Sequence, residues 1–190
     1  IFALCFHFYT CEFSRCRTFI PKKDDDTHTN LYFDSLANRV VGRWIETDKS
    51  KLLFTLNLKN LNIEVVNSSQ ILLVSVPTVG YTIDDIETTV EAHLPSLGLS
   101  KNGFKNKLHF EIPDYSFSGA PISTITPEAM DSWKHVRSLA NEACALLLGH
   151  VQIPGEIRIW PHHFDTGIYA IINPNVGLGF GLAMEDEMVG

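Results

Sequence analysis

Hydrophobic and polar positions along this chain follow two periods, and the switches between them mark the elements. From Thr27 to Trp44, Leu31, Leu36, Val40, Val41 and Trp44 fall near helical spacing behind Asp26 or Thr27 as N-cap, which predicts a first helix. Gly42 weakens its last turn. The runs Leu52–Leu58, Ile63–Val66 and Ile71–Val76 are β-rich and separated by the turn-like stretches KNLN and NSSQ, so they predict an antiparallel meander. Thr82 caps a second helix with Asp84 and Asp85 in its first turn; Ile83, Ile86, Val90, Leu94 and Leu97 trace its apolar face and Gly98 stops it.

Leu108–Ile112 then reads as a strand closed by Pro113. Thr126-Pro127-Glu128 opens a third helix, expected to end at Gly149, whose apolar positions include Met130, Trp133, Val136, Ala140, Cys144 and Leu147. Glu156–Trp160, His163–Ile172 and Val176–Met184 read as closing strands. Strands grouped together, rather than alternating with helices, predict an α+β fold: a largely antiparallel sheet of about seven strands with three main helices. Residues 25–190 form the expected single domain. Residues 1–24 show neither period and read as a leader outside it, joined through the charged run Lys22–Asp26. Ile1 at the start and the unclosed run at the end read as a chain cut at both ends.

Charge and composition narrow the functions. The chain has 22 acidic and 15 basic side chains, a net charge of −7, and residues 111–190 hold 10 acidic against only three basic groups (Lys134, Arg137, Arg158). That stretch would repel a phosphate backbone, so nucleic acid is not an expected partner. No run approaches the roughly 18 apolar residues that a membrane helix needs, and no membrane role is expected. Cys5, Cys11 and Cys16 fit no familiar zinc spacing, and Cys144 lies within an apolar helix; this usage suits a reducing, cytoplasmic setting.

Asp26-Thr27, Leu31 and the run to Val40, the meander, the amphipathic helix ending in "LGL", Trp133 early in a long helix, the Trp160…Phe164-Asp165 strand and the glycine-rich strand after it together resemble an uncharacterised bacterial domain-of-unknown-function family over residues 26–190. The resemblance implies one α+β domain in a soluble bacterial protein and assigns no activity. Members of that family continue with a Glu-Pro-aromatic strand that is absent here, and His162-His163 stands where some relatives carry small residues.

Three segments could carry chemistry. On a regular strand His163 and Asp165 would share a face, the spacing of two legs of a 2-His-1-carboxylate site. The third ligand would have to come from His93, His109, His135 or His150; otherwise His163–Asp165 is an orienting hydrogen-bonded pair, with Trp160 and Phe164 in the core. Trp133, Arg137 and Asn141 lie at i, i+4 and i+8 of the third helix and could hold a small anionic ligand, Arg137 gripping a carboxylate bidentately. Alternatively Arg137 lays its stem on Trp133 with its head in water or on Asp131 or Glu142. Gly177, Gly179 and Gly181 alternate with apolar residues, so they form a side-chain-free stripe on a strand rather than a phosphate loop; the stripe either seats an aromatic ring or leaves room for a ligand.

The expected function is a soluble small-molecule-binding domain, with or without catalysis, whose pocket lies near the WPHHFD segment. No cofactor is implied. The alternatives are a metal-dependent enzyme using His163 and Asp165, and a non-enzymatic domain that meets a basic partner through its acidic surface.

Overall fold

The structure, a computed structural model, describes residues 19–20, 23, 27–105, 119–160 and 164–183. Where the first helix was expected, the chain makes one 3-10 turn (Thr27–Thr29) and then two strands, β1 (Tyr32–Asp34) and β2 (Arg39–Glu46). The helical spacing was misleading because Leu36, one of its apolar positions, sits 95% exposed at the hairpin tip. Asp34 accepts from the Ala37 amide at 3.0 Å and Asn38 takes a left-handed φ of 53°, both turn chemistry. The aromatic and β-branched residues on either side then pair, Tyr32 with Val41 and Phe33 with Val40.

The meander follows as expected. β3 (Lys51–Asn57), β4 (Asn62–Asn67) and β5 (Leu72–Pro77) extend β1 and β2 into a five-stranded antiparallel sheet in sequence order. Leu52, Phe54, Leu56, Ile63 and Val65 are buried in its core. A bulge between Val41 and Trp44 shifts the β2–β3 register and aims Arg43 off the ladder.

Helix α1 (Ile83–His93) has the expected capping box, Thr82 and Asp85 each accepting from the other's amide. It buries Ile86 and Val90, then tightens into a 3-10 turn (Leu94–Leu97) that ends on Gly98 at φ 80°. Helix α2 (Pro127–Val151) starts at Thr126 as expected but runs past Gly149 and ends on Gln152, the left-handed residue at φ 54°. Glycine weakens a helix interior by about 1 kcal/mol but does not end it unless the chain needs a positive φ there.

A second sheet contains β6 (Arg158–Ile159), β7 (Thr166–Asn173) and β8 (Val176–Leu182), all antiparallel. The described residues thus hold eight strands and two α-helices rather than seven and three; the strand expected at Leu108–Ile112 lies outside them. One antiparallel pair joins the sheets: Leu31 and Ile159 exchange both backbone bonds at 2.9 and 2.8 Å. Phe19 and Ile20, from the segment read as a leader, pack against the main core. Among the described residues no helix is long and apolar enough to cross a membrane.

Trp133 lies 4% exposed, edge-on to Phe33 with ring centroids 5.4 Å apart, so it ties α2 to β1. Trp133→Ala should cost about 3–5 kcal/mol in urea unfolding, the range for deleting a buried aromatic, whereas His135→Ala on the exposed side of the same helix should cost almost nothing.

Candidate functional site

Directly opposed residues of an antiparallel pair share a face. On β7 and β8 the pairs Gly167–Gly181, Tyr169–Gly179 and Ile171–Gly177 therefore share one face. The alternate residues Ile168 and Ala170 are buried on the other face, where Thr166 meets α2. The three glycines of β8 thus make the side-chain-free stripe expected from their spacing, on the face turned away from α2.

The stripe does two different things. At its Gly181 end the two strands approach so closely that a Cβ on Gly181 would stand 2.6 Å from the Gly167 Cα. A Cβ on Gly167 would meet the Phe180 carbonyl at 2.7 Å and the Trp160 ring at 3.3 Å. At the other end the Tyr169 ring leans over Gly177, its hydroxyl 2.5 Å from where a Cβ would sit. Between them, nothing lies within 4 Å of the Cβ position of Gly179. The result is an open groove of about 490 Å³ with a backbone floor, Trp160 and Tyr169 as walls, and Asp165 among its lining residues. A hollow of about 820 Å³ along α2 is lined by five residues of that one helix, Glu142 to His150, and is helix surface rather than a site.

Asp165 reaches this groove by an irregular route. β7 begins only at Thr166, and Phe164 holds a left-handed φ of 63°, so Asp165 stands ahead of the strand rather than on it. Instead the Phe164 amide donates to the Trp160 carbonyl at 2.8 Å and the Trp160 amide to the Asp165 carbonyl at 3.0 Å, closing a tight loop. His163 lies outside the described residues, as does His109. Among the described residues no group of three His, Cys, Asp or Glu side chains is arranged to hold a metal.

The row Trp133, Arg137 and Asn141 does share one face of α2, but that face is turned into the protein. Arg137 is fully buried, which overturns the alternative that placed its head in water or on Asp131; Asp131 pairs with Lys134 at 2.6 Å instead. Its guanidinium carbon lies 5.1 Å from both the Trp133 and the Phe164 ring centroids, and Nη1 donates to the Thr166 hydroxyl. Burial draws its pKa down to about 10 while the Asp165 carboxylate pulls it back up, so it stays charged at neutral pH. Asn141 donates to the Phe33 carbonyl at 3.1 Å and so holds β1. Thr166 and Phe164 were missed as partners of this row because nothing local in the sequence links position 137 to positions 164 and 166.

A second polar group, centred on Glu156, lies outside the residues that line this groove. Arg158 pairs across from Gly167, and its Nε lies 3.3 Å from Glu156, which also accepts from Arg43 at 3.2 Å and from the Tyr32 hydroxyl at 2.9 Å. The Arg43 guanidinium rests 4.7 Å above the Tyr32 ring, brought there by the β2 bulge. Burial pushes the Glu156 carboxyl up, but its bonds from Arg43 and Tyr32 outweigh that and hold it below its ordinary value.

No family model, curated protein or solved structure matches this chain. The resemblance to an uncharacterised bacterial family therefore rests on the motifs alone.

Burial, opposed by the charge of Arg43, pushes the Tyr32 phenol up to about 12. The unfolded phenol titrates near pH ~10, so the folded state holds this proton more tightly. Tyr32 therefore contributes stability that is complete below that value and is lost as pH rises toward 12. Tyr32→Phe should flatten the fall of urea-unfolding stability above pH ~10 relative to the parent protein; identical alkaline profiles would show that Tyr32 carries none of it.

Proposed function

We propose that this chain is a small-molecule-binding domain whose ligand lies in the groove over β7 and β8. One observation carries this reading: the open space above Gly179, bounded by Trp160 resting on Gly167 and Tyr169 leaning over Gly177. A groove of about 490 Å³ is in the range of small-molecule sites, which are apolar in the main with a few placed polar groups. Here the polar group is Asp165, at the end where the floor is tightest. The walls are an indole and a phenol, whose faces favour a flat ring stacked between or against them. Such a ligand is a planar heterocycle or the flat face of a pyranose, with a donor turned toward Asp165. The reading assigns binding and no reaction.

Gly179→Val tests it without disturbing the fold. The added side chain meets no atom within 4 Å at its Cβ and the backbone there is outside the left-handed region, so the thermal midpoint should hold or rise. Indole, adenine and methyl glucoside would be screened as probes by amide and indole NMR. At least one should shift the Trp160 indole N–H and the Gly179 amide of the parent and lose that response in Gly179→Val. If none of the probes moves either signal, the groove is not the binding site. By contrast, Gly181→Ala should destabilise the protein outright, because its Cβ drives into the Thr166 and Gly167 backbone.

A further inference from the structure

A cavity of about 490 Å³ lies where α2, β1 and the segment 155–157 ahead of β6 come together. It shares no lining residue with the groove over β7 and β8. Phe33, Ala145, Leu148 and Ile157 supply its apolar wall, and Asn141 and Glu156 supply polar groups. An apolar cavity with a few placed polar groups is the usual form of a small-molecule site.

Both polar side chains hold acceptor capacity in reserve. Three donors reach Glu156: the Tyr32 hydroxyl at 2.9 Å, Arg43 Nη2 at 3.2 Å and Arg158 Nε at 3.3 Å. All three meet the same oxygen, Oε2, and Oε1 takes no hydrogen bond among the described residues. Asn141 donates from Nδ2 to the Phe33 carbonyl at 3.1 Å, and its Oδ1 likewise takes no hydrogen bond among the described residues. Carboxylate and amide oxygens each accept about two hydrogen bonds, so a ligand here is met chiefly by acceptors.

Charge then narrows the class. Burial raises the Glu156 carboxyl, but its bonds from Arg43 and Tyr32 hold it below its ordinary value, so it is ionised at neutral pH. Arg43 and Arg158 both pair with it, and two guanidiniums against one carboxylate leave this cluster net positive. An ammonium would be repelled by the arginines that hold its acceptor in place. An anion would meet the Glu156 and Asn141 oxygens, because neither arginine lines the cavity. An uncharged donor suffers from neither.

We propose that this cavity binds an uncharged molecule with an apolar body and a hydroxyl group, the hydroxyl donating to Glu156 Oε1. The body lies against Leu148 and Ile157. Tyr32, Arg43 and Arg158 are positioning residues: by occupying Oε2 they fix the carboxylate and leave its other oxygen for the ligand. The site stands independently of any ligand in the groove over Gly179.

The test titrates the whole chain with four probes of similar shape: benzyl alcohol, benzyl methyl ether, benzylammonium and benzoate. Benzyl alcohol should shift the Asn141 side-chain amide and the Ile157 backbone amide in NMR spectra, saturably and without moving the Trp160 indole. The ether lacks a donor and the two ions carry charge, so each should bind about tenfold more weakly or less. Glu156→Gln leaves one oxygen for three donors and should weaken benzyl alcohol severalfold. Where that variant does not fold, Ala145→Phe decides: it fills the cavity from an exposed helix position and should fold as the parent does while abolishing the response. No saturable shift in the parent overturns the proposal, as does a shift confined to the Trp160 indole, which places the alcohol in the groove. Equal binding of the ether or of either ion overturns it too, and so does undiminished binding in a folded variant.

Discussion

Helix α2 holds two sheets together with two side chains one turn apart. Arg137 donates to Thr166 on β7, and Asn141 donates to the Phe33 carbonyl on β1. Among the described residues the sheets themselves meet at one backbone pair, Leu31 and Ile159. Thr166 on β7 pairs directly with Ile159 on β6, so the Arg137 bond and the Leu31 pair act on the same row of the sheet. Trp133, one turn earlier on the helix, fills the space between them against Phe33. The groove lies on the opposite face of the same strand, β7.

A buried guanidinium is an expensive clamp. A hydrogen bond contributes a net ~1 kcal/mol, and bringing a full charge out of water costs several kcal/mol even after relaxation. Two aromatic rings and the charge of Asp165 offset part of that. A leucine or methionine packed in the same place would hold the helix at lower cost, since buried ion pairs commonly give way to apolar residues without loss of stability. The residue that lids this guanidinium is itself in an unfavourable conformation: Phe164 sits at φ 63°, in a region that aromatic residues rarely occupy.

Much of this was legible in the sequence, and the failures have physical causes. The meander, both α-helix starts and the glycine stripe follow from local rules: alternation, N-caps at Thr82 and Thr126, and Pro127 at the first helical position. The first helix was misread because Leu36 and Trp44 imitate a stripe, while the pairing of Tyr32 and Phe33 with Val41 and Val40 is tertiary. The shared face of Trp133, Arg137 and Asn141 was read correctly from spacing. Its burial was not, because that depends on strands arriving some thirty positions later and a hundred positions earlier. His163 lies outside the described residues, and Asp165 itself stands just ahead of β7, behind the left-handed Phe164 that no local pattern announced.

The glycine stripe shows why composition alone could not separate packing from binding. Gly167 and Gly181 are required where β7 and β8 crowd together, since any side chain there strikes backbone. Gly177 lies under the exposed Tyr169 ring, which a side chain there would push aside. Gly179 has neither neighbour, and a β-branched residue would suit an extended strand better at that position. Packing accounts for three of these glycines and leaves the fourth unexplained. The unexplained one lies on the floor of the groove, between the two aromatic side chains that face it. A residue that weakens its strand and whose Cβ would meet nothing leaves open the space that forms the groove above it.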